Sequence, residues 1–116
     1  MHKLDELVIW QKAMVLIEEV YVVVKDFPSN EKFGLTTQIR RWAISIPSNI
    51  AEGAWRNSQK EFKQFLAISN GPSYELQTQL LLSNKFDYIN KEQLNNLITK
   101  TVEVQKMNYS FQMKLN

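Results

Sequence analysis

The sequence predicts an all-α fold, an antiparallel up-down-up-down four-helix bundle whose second and third helices are kinked at proline. Three observations predict it. Apolar residues recur at helical spacing through four long segments. Only three Gly and three Pro punctuate 116 residues, too few for a turn-rich β fold. Hydrophobic residues make up 44% and charged residues 22%, which suits one buried core and argues against disorder. Residues 1–116 therefore read as a single bundle domain with no internal repeat.

The first segment runs from about Leu4 to Val24. Leu7, Met14, Ile17, Tyr21 and Val24 form one stripe, widened by Ala13 and Val20. Val8, Ile9, Trp10 and Val15 fall off that stripe, so this helix is expected to touch two neighbours or a partner chain. It stops at Asp26-Phe27-Pro28-Ser29-Asn30, where Pro28 disfavours helical geometry at Phe27. Ser29 or Asn30 can cap a short turn leading to Phe33-Gly34-Leu35, and Thr36 or Thr37 can cap the second helix. That helix carries Ile39, Ala43, Ile46 and Ile50 and reaches Gly53 or Trp55. The third begins near Ser58, which with Glu61 matches a capping box. Its stripe is Phe62, Leu66, Ser69, Ser73, Leu76 and Leu80, with Phe65 and Ile68 alongside, and it ends around Asn84 to Asp87. The fourth, from about Lys91 to Met113, carries Leu94, Leu97, Ile98, Thr101, Val102, Val104 and Met107, and its tail from Tyr109 is expected to fray.

Two prolines interrupt this pattern. Pro47 removes the amide that would bond the Ala43 carbonyl, and Pro72 does the same to Ile68, each at about 3 kcal/mol in a straight helix. Small residues flank both: Ser45, Ser48, Ala51 and Gly53 on one helix, Ser69, Gly71 and Ser73 on the next. They allow close backbone approach, and their hydroxyls can satisfy freed carbonyls. The apolar register passes through Pro47 without a slip, favouring a kinked continuous helix over a new helix starting there.

Net charge is +2, unevenly spread. Residues 1–35 carry −2, residues 36–70 carry +3 and residues 71–116 carry +1. All the arginines lie in the middle third, where Arg40, Arg41, Arg56, Lys60 and Lys63 are the candidate phosphate contacts of a nucleic-acid-binding surface. Trp42 and Trp55 could stack on unpaired bases, or pack in a core or interface. Pro47, Ser48, Asn49, Glu52, Gly53 and Glu75 read as a structural motif. Within it, Glu75 should approach Arg41 if the second and third helices form a hairpin, either as a buried pair that fixes register or as solvated surface charges.

The string from Leu35 to Gly53, L-T-T-Q-I-R-R-W-A-I-S-I-P-S-N-I-A-E-G, resembles the signature of the 23S rRNA intervening-sequence family of four-helix bundles. Similar stretches are V-I-W-Q-K-A (Val8 to Ala13), F-P-S-N-E-K-F-G-L (Phe27 to Leu35), R-N-S-Q-K-E-F-K-Q-F-L-A-I-S-N-G (Arg56 to Gly71) and Y-E-L-Q-T-Q-L-L-L (Tyr74 to Leu82). The resemblance implies a homopentamer with a central opening. It also implies kinship with accessory proteins of diversity-generating retroelements, which bind a reverse transcriptase and nucleic acid. Trp42 departs from the family pattern, in which a small residue is usual, and is expected to face a neighbouring subunit or solvent. Pro72-Ser73 stands where Gly-Ser is usual, and Gln77 at a commonly acidic position.

Function classes narrow accordingly. No Cys is present, which excludes disulfides, thiolate metal sites and cysteine nucleophiles. The only His is His2, at a terminus expected to be mobile, so a di-metal carboxylate bundle fails and neither a metal nor a cofactor is expected. No enzyme chemistry is visible. Acids stand where a signal peptide would carry basic residues, and no apolar run could span a membrane, so a cytoplasmic protein is expected. Two functions remain: RNA or other nucleic-acid binding, and a protein-interaction scaffold, for example for a reverse transcriptase. Across five copies the +3 of the middle third would become about +15, enough for sequence-independent phosphate binding.

Overall fold

The computed structural model describes residues 2–115. A 3₁₀ turn at Leu4–Glu6 leads into α1 (Val8–Val24), and a second at Ser29–Glu31 precedes α2 (Leu35–Trp55). Then follow α3 (Gln59–Lys85) and α4 (Lys91–Lys114), with no strand among the described residues. Each helix packs on two others: α2 on α1 and α3, α4 on α3 and α1. This leaves α1 and α3 facing each other across the core of a rod measuring 44 × 24 × 21 Å.

The core is the stripe side of each helix. Ile39, Ala43, Ile46 and Ile50 of α2 are buried, as are Phe62, Leu66, Ser69, Ser73, Leu76 and Leu80 of α3. On α1 the expected phase needs correction. Ile9, Ala13, Leu16, Val20 and Val24 are buried, whereas Met14 is exposed and Ile17 and Tyr21 are only half-buried. Trp42, expected to point outward, is half-buried and packs against the core.

Pro47 lies inside α2, which runs unbroken from Leu35, and Pro72 lies inside α3. The nearby hydroxyls do not take the carbonyls that the prolines free. Ser45 donates to Arg41 O, Ser69 to Leu66 O and Ser73 to Asn70 O.

Helix ends follow simple chemistry. Ser58 caps α3 by accepting from Glu61 N. A full capping box starts α4, with Asn90 Oδ1 accepting from Gln93 N and Gln93 Oε1 accepting from Asn90 N. Neither Thr36 nor Thr37 caps α2. That helix begins earlier, and Glu31 Oε1 accepts from Leu35 N at 3.1 Å. Nor does the tail of α4 fray: helix continues to Lys114, and Leu115 is buried.

Candidate functional site

The five candidate cations separate along the rod. Arg41 and Arg56 are divided by about 22 Å of helix axis at about 1.5 Å per residue. Arg40 and Arg41 therefore belong to one end of the bundle, and Arg56, Lys60 and Lys63 to the corner where α2 gives way to α3.

At the first end, Gln79 Nε2 donates to Gln38 Oε1 at 2.8 Å and sets the level at which α2 and α3 meet. Arg40 turns toward α1: its guanidinium carbon lies 5.1 Å from the Tyr21 ring centroid, and its Nε is buried without an acceptor. Arg41 and Glu75 are both exposed and form no ion pair, so the buried pairing does not occur among the described residues.

At the corner, Gly53 lets the two helices approach. A Cβ there would stand 2.7 Å from Phe65 Cβ and 2.9 Å from Phe62 Cδ1. This approach places Trp55, the last residue of α2, on the surface with 68% of its area exposed. Arg56 is oriented twice: Nη2 donates to Glu52 Oε1 at 3.1 Å, and the guanidinium carbon sits 4.9 Å from the Phe65 ring centroid. Lys60 and Lys63 are exposed on the first turns of α3. A cleft of about 770 Å³ is lined by Glu52, Trp55, Arg56, Asn57 and Glu61. Of the candidate cations only Arg56 lines this cleft, against two carboxylates (Glu52, Glu61); Lys60 and Lys63 lie outside its lining, and counting them one copy is only weakly positive at the corner.

Sequence reasoning missed what braces this corner. His2 is docked rather than mobile. Its amide donates to Ala54 O at 3.1 Å, and its ring lies 4.8 Å from Phe62 and 6.2 Å from Phe111. A lone His beside a terminus carries no pattern that would have revealed this.

Two titrations are displaced, neither of them on a candidate cation. Donation from Lys100, then from Asn96, holds the Glu19 carboxyl below its ordinary value. The Tyr88 phenol is pushed up, chiefly because it donates to Glu31 at 2.9 Å. No group of three or more potential metal ligands occurs among the described residues, and no helix among them is long and apolar enough to cross a membrane.

The family model described as 23S rRNA-intervening sequence protein matches residues 5–110. The chain belongs to the 23S rRNA-intervening sequence protein family. A solved structure of similar shape is that of a protein with unknown function from the S23 ribosomal protein family from Bacteroides thetaiotaomicron. It superimposes with a TM-score of 0.84 at 25% identity, covering 91% of this chain and 96% of that one. No curated protein matches.

In this 23S rRNA-intervening sequence protein the signature stretch is α2 itself. Pro47 is buried at its middle and Gly53 is buried against α3. Asn49 Nδ2 donates to Ser45 O at 2.8 Å, and Glu52 orients Arg56. Ser48 and Glu75 are exposed. Of these six residues Pro47 and Gly53 are buried, whereas Ser48, Glu52 and Glu75 face solvent.

Proposed function

We propose that this family member is a non-enzymatic, oligomeric four-helix bundle that binds RNA through its basic surface. The observation that carries the reading is the corner: an exposed Trp55 beside the braced Arg56, with Lys60 and Lys63 exposed on the first turns of α3. Indole faces stack on unpaired bases, and the cations take phosphates. Arg40 and Arg41 supply further phosphate contacts at the other end of the rod.

Assembly strengthens a weak field. Val8, Val15 and Val22 are exposed along one line of α1, and Ile68 and Leu82 along one line of α3, the helix across the core. Two different apolar faces on opposite sides suit head-to-tail contact, the arrangement that closes rings. A homopentamer repeats the corner five times around one opening and multiplies its charge. A cytoplasmic location fits a partner of this kind.

The test is a titration of structured RNA at low and moderate salt. Binding is expected to weaken steeply as salt rises, and Arg56→Ala with Lys60→Ala and Lys63→Ala to weaken it further while reducing the salt dependence. No binding at low salt, or indifference to the triple replacement, removes the reading. A second reading has its own observation, a cleft of about 530 Å³ whose walls include Leu7, Val8, Ile9, Met107 and Phe111. Such a cleft suits an apolar anchor of a protein partner such as a polymerase, and this reading predicts capture of one specific protein that survives nuclease treatment.

A further inference from the structure

Three chain segments converge beside Arg40: the residue closing α1, the 3₁₀ turn and the first turns of α2. They enclose a cleft of about 270 Å³ whose polar lining is Lys25, Ser29, Lys32, Thr36 and Arg40, beside Val24, Phe27 and Pro28. We propose that this cleft is a phosphate-group site, with Arg40, Lys25 and Lys32 supplying charge and the Ser29 and Thr36 hydroxyls supplying further donors.

The argument begins with what these groups lack. The ion pairs among the described residues are Lys12–Glu103, Arg56–Glu52 and Lys100–Glu19, and none involves Lys25, Lys32 or Arg40. Arg40 Nε is buried and meets no acceptor, a rare state for a charged donor. Its guanidinium is nonetheless fixed in place by the Tyr21 ring. The Ser29 and Thr36 side chains donate no hydrogen bond elsewhere among the described residues, and Thr36 is buried. Neither nearby acid lines the cleft. Glu31 is committed to Tyr88 and Leu35 N, and Asp26 is exposed.

Three cations and two hydroxyls from three segments match a tetrahedral oxyanion, whose several acceptor oxygens can be shared among them. A carboxylate offers only two oxygens and would leave donors unused. The chemistry is common to inorganic phosphate and to the phosphodiester of RNA, and in the second case the site rests on the function proposed above.

The experiment is an amide NMR titration of the full chain with inorganic phosphate at ionic strength held constant by chloride, repeated with a short single-stranded oligoribonucleotide. Expected are saturable shifts confined to residues 25–40. Lys25→Ala with Lys32→Ala, both at exposed positions, should weaken phosphate roughly tenfold or more, and Arg40→Gln should abolish the saturable shifts. Shifts reproduced by chloride, centred on residues 56–63, or indifferent to the double replacement overturn the site. Displacement of phosphate by the oligonucleotide identifies a nucleic-acid backbone as the occupant. Saturable phosphate shifts in a protein that ignores RNA keep the site and sink only the RNA reading. RNA binding without shifts at residues 25–40 does the reverse.

Discussion

Gly53 shows how one missing side chain sets a contact. In an open helix, Gly→Ala gains up to about 1 kcal/mol. Here the added carbon would lie 2.7 Å from Phe65 Cβ, which cannot retreat without moving the backbone of α3. Overpacking of that kind costs about 1–3 kcal/mol, so Gly53→Ala is expected to lower stability by about 1 kcal/mol net in urea unfolding. Equal or greater stability would contradict the tight corner. Glu19 gives a pH-dependent case. Donors from Lys100 and Asn96 hold its carboxyl below the ordinary 4.5. A group depressed in the folded state contributes stability above the unfolded value and loses it as pH falls through the folded one. Glu19→Gln should therefore cost about 0.5 kcal/mol at neutral pH, in the range of exposed pairs, and the gap to the parent should close well below pH 4.5. Single residues were unevenly legible. The α3 stripe placed Ser69 in the core, but only the structure shows why a hydroxyl survives there: it donates to Leu66 O and accepts from the Asn108 amide, one full helix away in sequence. Contacts of that range leave no local signature.

Among elements, α3 was readable in phase and α1 only in part, with Leu7, Ala13, Val20 and Val24 buried as expected but Met14 exposed, for a physical reason. The stripe of α3 is interrupted by Lys63, Gln64, Asn70, Glu75 and Thr78, which gives its periodicity contrast, although Ile68, expected alongside it, is exposed. The α1 segment carries Val8, Ile9, Trp10, Ala13, Met14, Val15, Leu16 and Ile17 almost without interruption, and such a helix gives periodicity little contrast. Its true buried line, from Ile9 through Leu16 to Val24, is decided by what α2 and α4 offer it. The end of α4 was misjudged because docking, not propensity, holds it. Phe111 stacks 5.1 Å from Phe62, and Leu115 closes the core beyond it. At the other end of α4 the reciprocal Asn90–Gln93 bonds satisfy two donors that would otherwise be orphaned. Asn90→Ala should cost about 1 kcal/mol in chemical denaturation while leaving helix content by circular dichroism nearly unchanged. A neutral effect would mean that packing of the α3–α4 loop, where Tyr88 meets Phe27 and Phe86, sets the start of the helix unaided.

For the whole molecule the question is how copies would join. A two-fold dimer repeats one patch against itself, whereas a ring joins two different patches. Val15 sits in the exposed line of α1 and Ile68 in that of α3, on helices that face each other across the core. Neither side chain is buried, so Val15→Arg and Ile68→Arg should each fold with nearly parental stability. In a ring, however, each variant keeps one good face and spoils the other. The Val15→Arg protein retains an α3 face, and the Ile68→Arg protein retains an α1 face. Alone, each is expected to run as a monomer in mass-resolved chromatography. Mixed, they should form a single heterodimer and stop, because the one remaining junction joins intact faces and every further junction needs a spoiled one. A two-fold dimer built on either patch gives a different pattern: one variant stays dimeric by itself, and mixing creates nothing new. Parental protein that elutes as a monomer at micromolar concentration would dismiss both arrangements and leave the corner with the weak charge of a single copy.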